Sequence, residues 1–212
     1  MTRNLKTLGL AVLAAFALSA VAASAAQAEK FTAAEYPAIL HAEPTTHTFE
    51  FANGLQDKCS TTISGELTEA SEKVHLVPKY SECSAIVGGV KKSVTTISSC
   101  EEGLDHYDTI FSTRTICKKG YIHIITVFNN AEQTEVLCKY ELSALEGEKV
   151  THENLGGTAG IKVTWAITGV AYKRTAGSVL VCGAAEGKVK YNGTSSVSAK
   201  NKGGSAIGFD VG

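Results

Sequence analysis

The chain is poor in the residues that mark the easiest function classes. It has three prolines, one tryptophan and one methionine in 212 residues, and its formal net charge is −1. So little proline argues against an extended linker or a low-complexity tract. The near-balance of charge gives no electrostatic reason to expect nucleic acid or an anionic membrane as partner. No Cys-x-x-Cys pair occurs, which removes the usual spacing of a structural zinc site. No Gly-x-Ser-x-Gly elbow is present, and Gly156–Lys162 lacks the Gly-Lys-Ser/Thr ending of a phosphate loop. His152-Glu153-Asn154-Leu155-Gly156 starts like a zincin motif but lacks the second histidine one helical turn on. These absences leave no catalytic residue, no metal ligand set and no cofactor to expect. Beyond the first residues there is neither a long apolar run nor a sustained 3.6-residue apolar period.

What is present begins with the leader. Arg3 and Lys6 precede the uncharged, alanine-rich stretch Leu8–Val21, and Ala26-Gln27-Ala28 is a small-x-small cleavage site followed by Glu29. That order is a secretory signal peptide, too short in its apolar part to serve as a span. Cleavage between Ala28 and Glu29 leaves residues 29–212, with no further membrane span, as one secreted or cell-surface domain. A two-lobe split is conceivable only near 143–157, the least regular region.

All six cysteines, Cys59, Cys83, Cys100, Cys117, Cys138 and Cys182, follow the leader. An even count in an exported chain reads as disulfides, with fifteen possible connectivities for six cysteines. Nearest-neighbour pairing, Cys59–Cys83, Cys100–Cys117 and Cys138–Cys182, is the expectation.

The rest reads as short strands. In Gly160–Lys173, Val163, Trp165, Ile167 and Ala171 share one parity, and Lys162, Thr164, Thr168 and Tyr172 the other, the period of a strand with one buried face. Trp165 is therefore expected in the core, with Thr168 and Tyr172 on the opposite face. Asn53-Gly54 and Gly88-Gly89 are turn signals, and Asn192-Gly193 between Gly187–Tyr191 and Thr194–Ala199 predicts a hairpin. That turn also accounts for Asn192-Gly193-Thr194 without invoking glycosylation. Pro78 lacks a ladder donor, so the strand Lys73–Tyr80 should lie at an edge or end there. Ala144-Leu145-Glu146 is a candidate helical turn. The pattern predicts an all-β fold, an antiparallel sandwich or barrel-like domain stapled by disulfides, preceded by the signal-peptide helix.

Several of these residues occur as a set: Phe31-Thr32-Ala33, Tyr36-Pro37-Ala38, Thr46-His47-Thr48-Phe49, Cys59, Pro78-x-Tyr80-Ser81-x-Cys83, Trp165-x-x-x-Gly169-x-x-Tyr172 and Asn192-Gly193-Thr194. As a set, spread over nearly the whole chain, they resemble a paralogous group of secreted β-rich, cysteine-containing proteins of soil bacteria. Asp210 departs from the more apolar carboxy end of that group. The resemblance implies export and a β fold. It carries no activity, cofactor or site residue.

Glu101, Glu102, Asp105, His106 and Asp108 form the densest acidic cluster. Read as a loop, they offer oxygens for calcium or a carboxylate pair for glycoside hydrolysis, but the EF-hand spacing is missing. A solvated loop accounts for them. His47, His75 and His123 sit in alternating strands with no ligand-spaced partner, so structural roles are expected, His47 and His123 with a satisfied ring nitrogen. The functional expectation is a secreted, non-catalytic binding or structural protein of the envelope or extracellular space, with an extracellular ligand or protein partner. The alternatives are a secreted hydrolase acting through Glu101, Glu102, Asp105 and Asp108, and an inhibitor or effector.

Overall fold

The structure, a computed structural model, describes residues 29–98, 100–107, 110–117, 123–143 and 146–212, with side chains for 29–98, 123–143 and 150–212. The strands are β1 (Phe31–Ala33), β2 (Ala38–Phe51), β3 (Gln56–Leu67), β4 (Lys73–Val87), β5 (Val90–Ser98), β6 (Cys100–Tyr107) and β7 (Ile110–Cys117). There follow β8 (His123–Phe128), β9 (Val136–Leu142), β10 (Glu146–Asn154), β11 (Ile161–Ala176), β12 (Glu186–Lys200), β13 (Ala206–Ile207) and β14 (Phe209–Val211). One four-residue helix, α1 (Val179–Cys182), joins β11 to β12. The all-β expectation holds, and every pairing is antiparallel.

The pairing closes on itself. β5 and β6 lie on the same edge of β4, β5 against Ser84–Val87 and β6 against Lys73–Leu76, so they are two segments of one stave. β8 and β7 pair in the same way with β9 and β10, which lie against opposite halves of β11. Counting each such couple once, eight staves follow in chain order, and β12 returns to pair with β2 over Val189↔Phe51 to Lys200↔Ile39. The result is an up-and-down barrel with no free sheet edge at the β2–β12 join. β1 and β14 pair across its lower end, Phe31 opposite Val211.

Alternation sets which face is inside. Phe49, Phe51, Ile63, Leu76, Ile125, Tyr140, Trp165, Ile167 and Tyr191 fill the interior, as expected for eight staves, whose bore is just wide enough for side chains. Lys58, Glu66, Lys73, Lys79, Lys173, Lys188 and Lys190 stand on the exposed face. That is not the apolar outer band of a lipid-embedded barrel. No described helix is long and apolar enough to cross a membrane.

Asn53-Gly54 and Gly88-Gly89 do turn the chain, the latter with both residues at positive φ between Val87 and Val90. Pro78 is inside a long strand rather than at its end. It is tolerated because Val77–Cys83 has no strand on its second side among the described residues, β6 ending opposite Leu76 and β5 beginning opposite Ser84.

Other expectations are corrected. Asn192-Gly193 is not a turn: β12 runs straight through it, with Gly193 opposite Trp165. A Cβ on Gly193 would lie 2.3 Å from His47 Nδ1, so this glycine makes room for an imidazole. Ala171 and Tyr172 exchange faces, because β11 bulges between Ile167 and Val170 with Gly169 at φ 85°. The extra residue reverses the parity beyond it, so Tyr172 is buried and Ala171 exposed. Glu146 opens a strand, not a helical turn. The region 143–157 is occupied largely by β10, which is paired with β7 and β11.

Candidate functional site

The acidic segment does not form the expected loop. Glu101–Tyr107 belongs to β6, with Glu101 opposite Ile116, Glu102 opposite Thr115 and Asp105 opposite Ser112. The three positions are strung along one paired strand instead of being gathered in a loop. Asp108 lies outside the described residues.

Two of the expected disulfides are formed, Cys59–Cys83 and Cys138–Cys182. Cys100 and Cys117 stand directly opposite each other in the β6–β7 register, and their side chains lie outside the described set, as do residues 1–28, Ala28 of the expected cleavage site among them. The Cys138–Cys182 bridge anchors α1 to β9, and the Tyr140 hydroxyl donates to the Cys182 carbonyl at 2.8 Å.

Midway along the bore is a polar chain. The Tyr80 hydroxyl donates to the Tyr191 hydroxyl at 3.2 Å, and Tyr191 bonds His47 Nδ1. His47 Nε2 lies 3.0 Å from Ser195 Oγ, which lies 2.8 Å from Thr45 Oγ1. Both ring nitrogens thus meet a hydroxyl carried by β12, and the chain ties β2 to β12 through one imidazole. Burial pushes the His47 pKa down to about 4, which keeps the ring neutral. His47 has the satisfied nitrogens expected of it. His123 does not: among the described residues neither ring nitrogen has a hydrogen-bond partner, and the same holds for Trp165 Nε1 and Thr61 Oγ1. Phe49 and Tyr80 pack on the His123 ring at 5.3 and 5.6 Å, and burial pushes its pKa to about 3. His75 is exposed on β4.

Asp57 is the group sequence reasoning missed. It shares parity with Cys59, Thr61 and Ile63 on β3, which was the available signal, and it is fully buried. The Thr96 hydroxyl donates to its Oδ2 at 2.6 Å. Cys59 Sγ lies 3.5 Å from Oδ1 and 3.6 Å from Oδ2. Burial pushes the carboxyl pKa up to about 7, against the Thr96 hydrogen bond, which lowers it. Asp57, Cys59 and Cys83 present ligand atoms within 4.8 Å of one another, but the two sulfurs are bonded to each other and hold no charge for a cation.

The rim at which β4 ends and β12 begins carries exposed apolar side chains among polar ones. Ile86 and Val90 flank the Gly88-Gly89 turn, Val136 opens β9, and α1 exposes Val179, Leu180 and Val181, with Leu180 94% exposed. Comparison with protein-family models, with curated proteins and with solved structures finds no match to this chain.

Proposed function

We propose that the protein is a secreted, non-catalytic barrel of the envelope or extracellular space, which binds a protein partner through the exposed apolar side chains of α1. The observation that carries this reading is Leu180, presented almost wholly to solvent on a helix held by the Cys138–Cys182 bridge. The bridge holds the backbone that carries this exposed aliphatic side chain, so little backbone entropy is left to lose on binding. The signal-like leader and the bridges support export. The buried His47 chain, closed on the hydroxyls of Tyr191 and Ser195, favours a structural use of those residues over hydrolysis.

Sedimentation of the purified protein, residues 29–212, with an isolated envelope fraction tests the reading. Wild type should co-sediment and Leu180→Asp should remain in solution with an unchanged circular dichroism spectrum. Equal sedimentation of the two proteins, or turnover of any polymer in a hydrolysis panel, would overturn it.

A further inference from the structure

The fold treats its two described bridges differently. Cys138 and Cys182 are both closed off, at 0% and 1% exposure, whereas Cys83 reaches 9% beside the fully covered Cys59. Cys83 is also the last residue of the unpaired stretch of β4. Beyond the Ser84↔Ser93 pair, β5 leaves β4 and continues only with β8. Among the described residues no strand pairs with β4 on that side there, so local opening at Cys83 has fewer ladder bonds to break. Opposite, β4 carries an extra residue between the Lys58↔Ser84 and Ser60↔Ser81 pairs, with Glu82 at φ 50°. Behind the bridge stands Asp57, with both carboxyl oxygens within 3.6 Å of Cys59 Sγ and the Thr96 hydroxyl donating to Oδ2 at 2.6 Å.

We propose that Cys59–Cys83 is a thiol–disulfide exchange site that accepts two electrons from a dithiol, with Asp57 supplying the proton to the departing Cys59 sulfur. One thiol of the dithiol loses its proton to water and attacks Cys83 Sγ. The S–S bond breaks, a mixed disulfide forms on Cys83, and the electron pair leaves on Cys59, which takes the carboxyl proton of Asp57. The second thiol of the dithiol, also deprotonated by water, attacks its own partner sulfur in the mixed disulfide. The substrate leaves as a disulfide, Cys83 departs as thiolate and is protonated by water, and Asp57 is reprotonated from solvent. A buried carboxyl that still holds its proton near neutral pH suits that task. A carboxylate in the same place would repel the leaving thiolate.

Dithiothreitol is the probe. Reduction is followed by rapid alkylation and peptide mapping from pH 5.5 to 8.5, with rates expressed per attacking thiolate. Cys59–Cys83 should open at least tenfold faster than Cys138–Cys182, and its rate constant should fall as pH rises through about 7. Asp57→Asn should abolish that inflection. Thr96→Val, which removes the hydrogen bond favouring the ionised form, should move it to higher pH, and this variant decides the matter if Asp57→Asn does not fold. Both bridges opening together at the rate of global unfolding would overturn the proposal. So would an inflection that survives in Asp57→Asn, or one that Thr96→Val leaves in place.

Discussion

Gly193 is the residue on which the interior depends most directly. Any side chain there enters the His47 ring, whose two hydrogen bonds tie β2 to β12. Gly193→Ala should cost about 3 kcal/mol of stability through overpacking, read as a lowered urea midpoint. His123 works the other way. Its unpaired nitrogens are a buried debt, and His123→Phe, similar in shape, should stabilise the protein by about 1–3 kcal/mol near pH 5. The pH dependence follows from three buried groups. His47 and His123 stay neutral in the fold down to about 4 and about 3, while the unfolded chain protonates them near 6.5. Their contribution is full above 6.5 and is lost as pH falls. Asp57 has the opposite sign: its contribution is full below its unfolded value of 3.8 and is lost as pH rises through about 7. Two imidazoles against one carboxyl give a net rise of roughly 1 kcal/mol per pH unit between pH 4 and 6.5. In His123→Phe the remaining slopes oppose each other, and the urea midpoint should be nearly level across that window.

At the level of elements, the strands and two of the tight turns were legible because alternation and turn glycines are local properties. Trp165 was placed in the core by its parity mates alone. Asn192-Gly193 was misread because a glycine looks the same whether it turns the chain or clears space for a neighbour 146 positions away in β2. Tyr172 was misassigned because the bulge at Gly169 adds one residue, and parity carries no warning of it. The carboxylates of β6 read as a loop since charge outweighed the pattern, whereas pairing to β7 and β4 decided the structure. The unpaired nitrogens of His123 had no signature at all, being set by what surrounds the ring. Gly169→Val tests the bulge: a branched residue held at positive φ should cost about 1–2 kcal/mol or more, and fluorescence and near-ultraviolet signals from Tyr172 should change with it.

The whole molecule is a ring joined where β2 meets β12, with Cys59–Cys83 linking the neighbouring staves β3 and β4 and Cys138–Cys182 tying α1 to β9. Reduction of both described bridges should lower the melting temperature, since their loops of 24 and 44 residues each contribute on the order of 3–4 kcal/mol in the chain-entropy account. Calorimetry with and without reductant checks it, with free thiols counted after the scan.

The clasp of β1 and β14 has a mechanical corollary. Lys30 and Gly212 exchange two backbone hydrogen bonds, at 2.9 and 3.1 Å, beside the Phe31↔Val211 pair. Force applied through the two ends therefore enters both strands at the same end of an antiparallel pair and parts their bonds one at a time. The Ala34–Gly208 hydrogen bond and the β12–β13 pairs follow, and Ile39 against Lys200 is then met from the same side. Under tension the barrel peels open as a zipper from its seam at low force, until the pull reaches a covalent bridge.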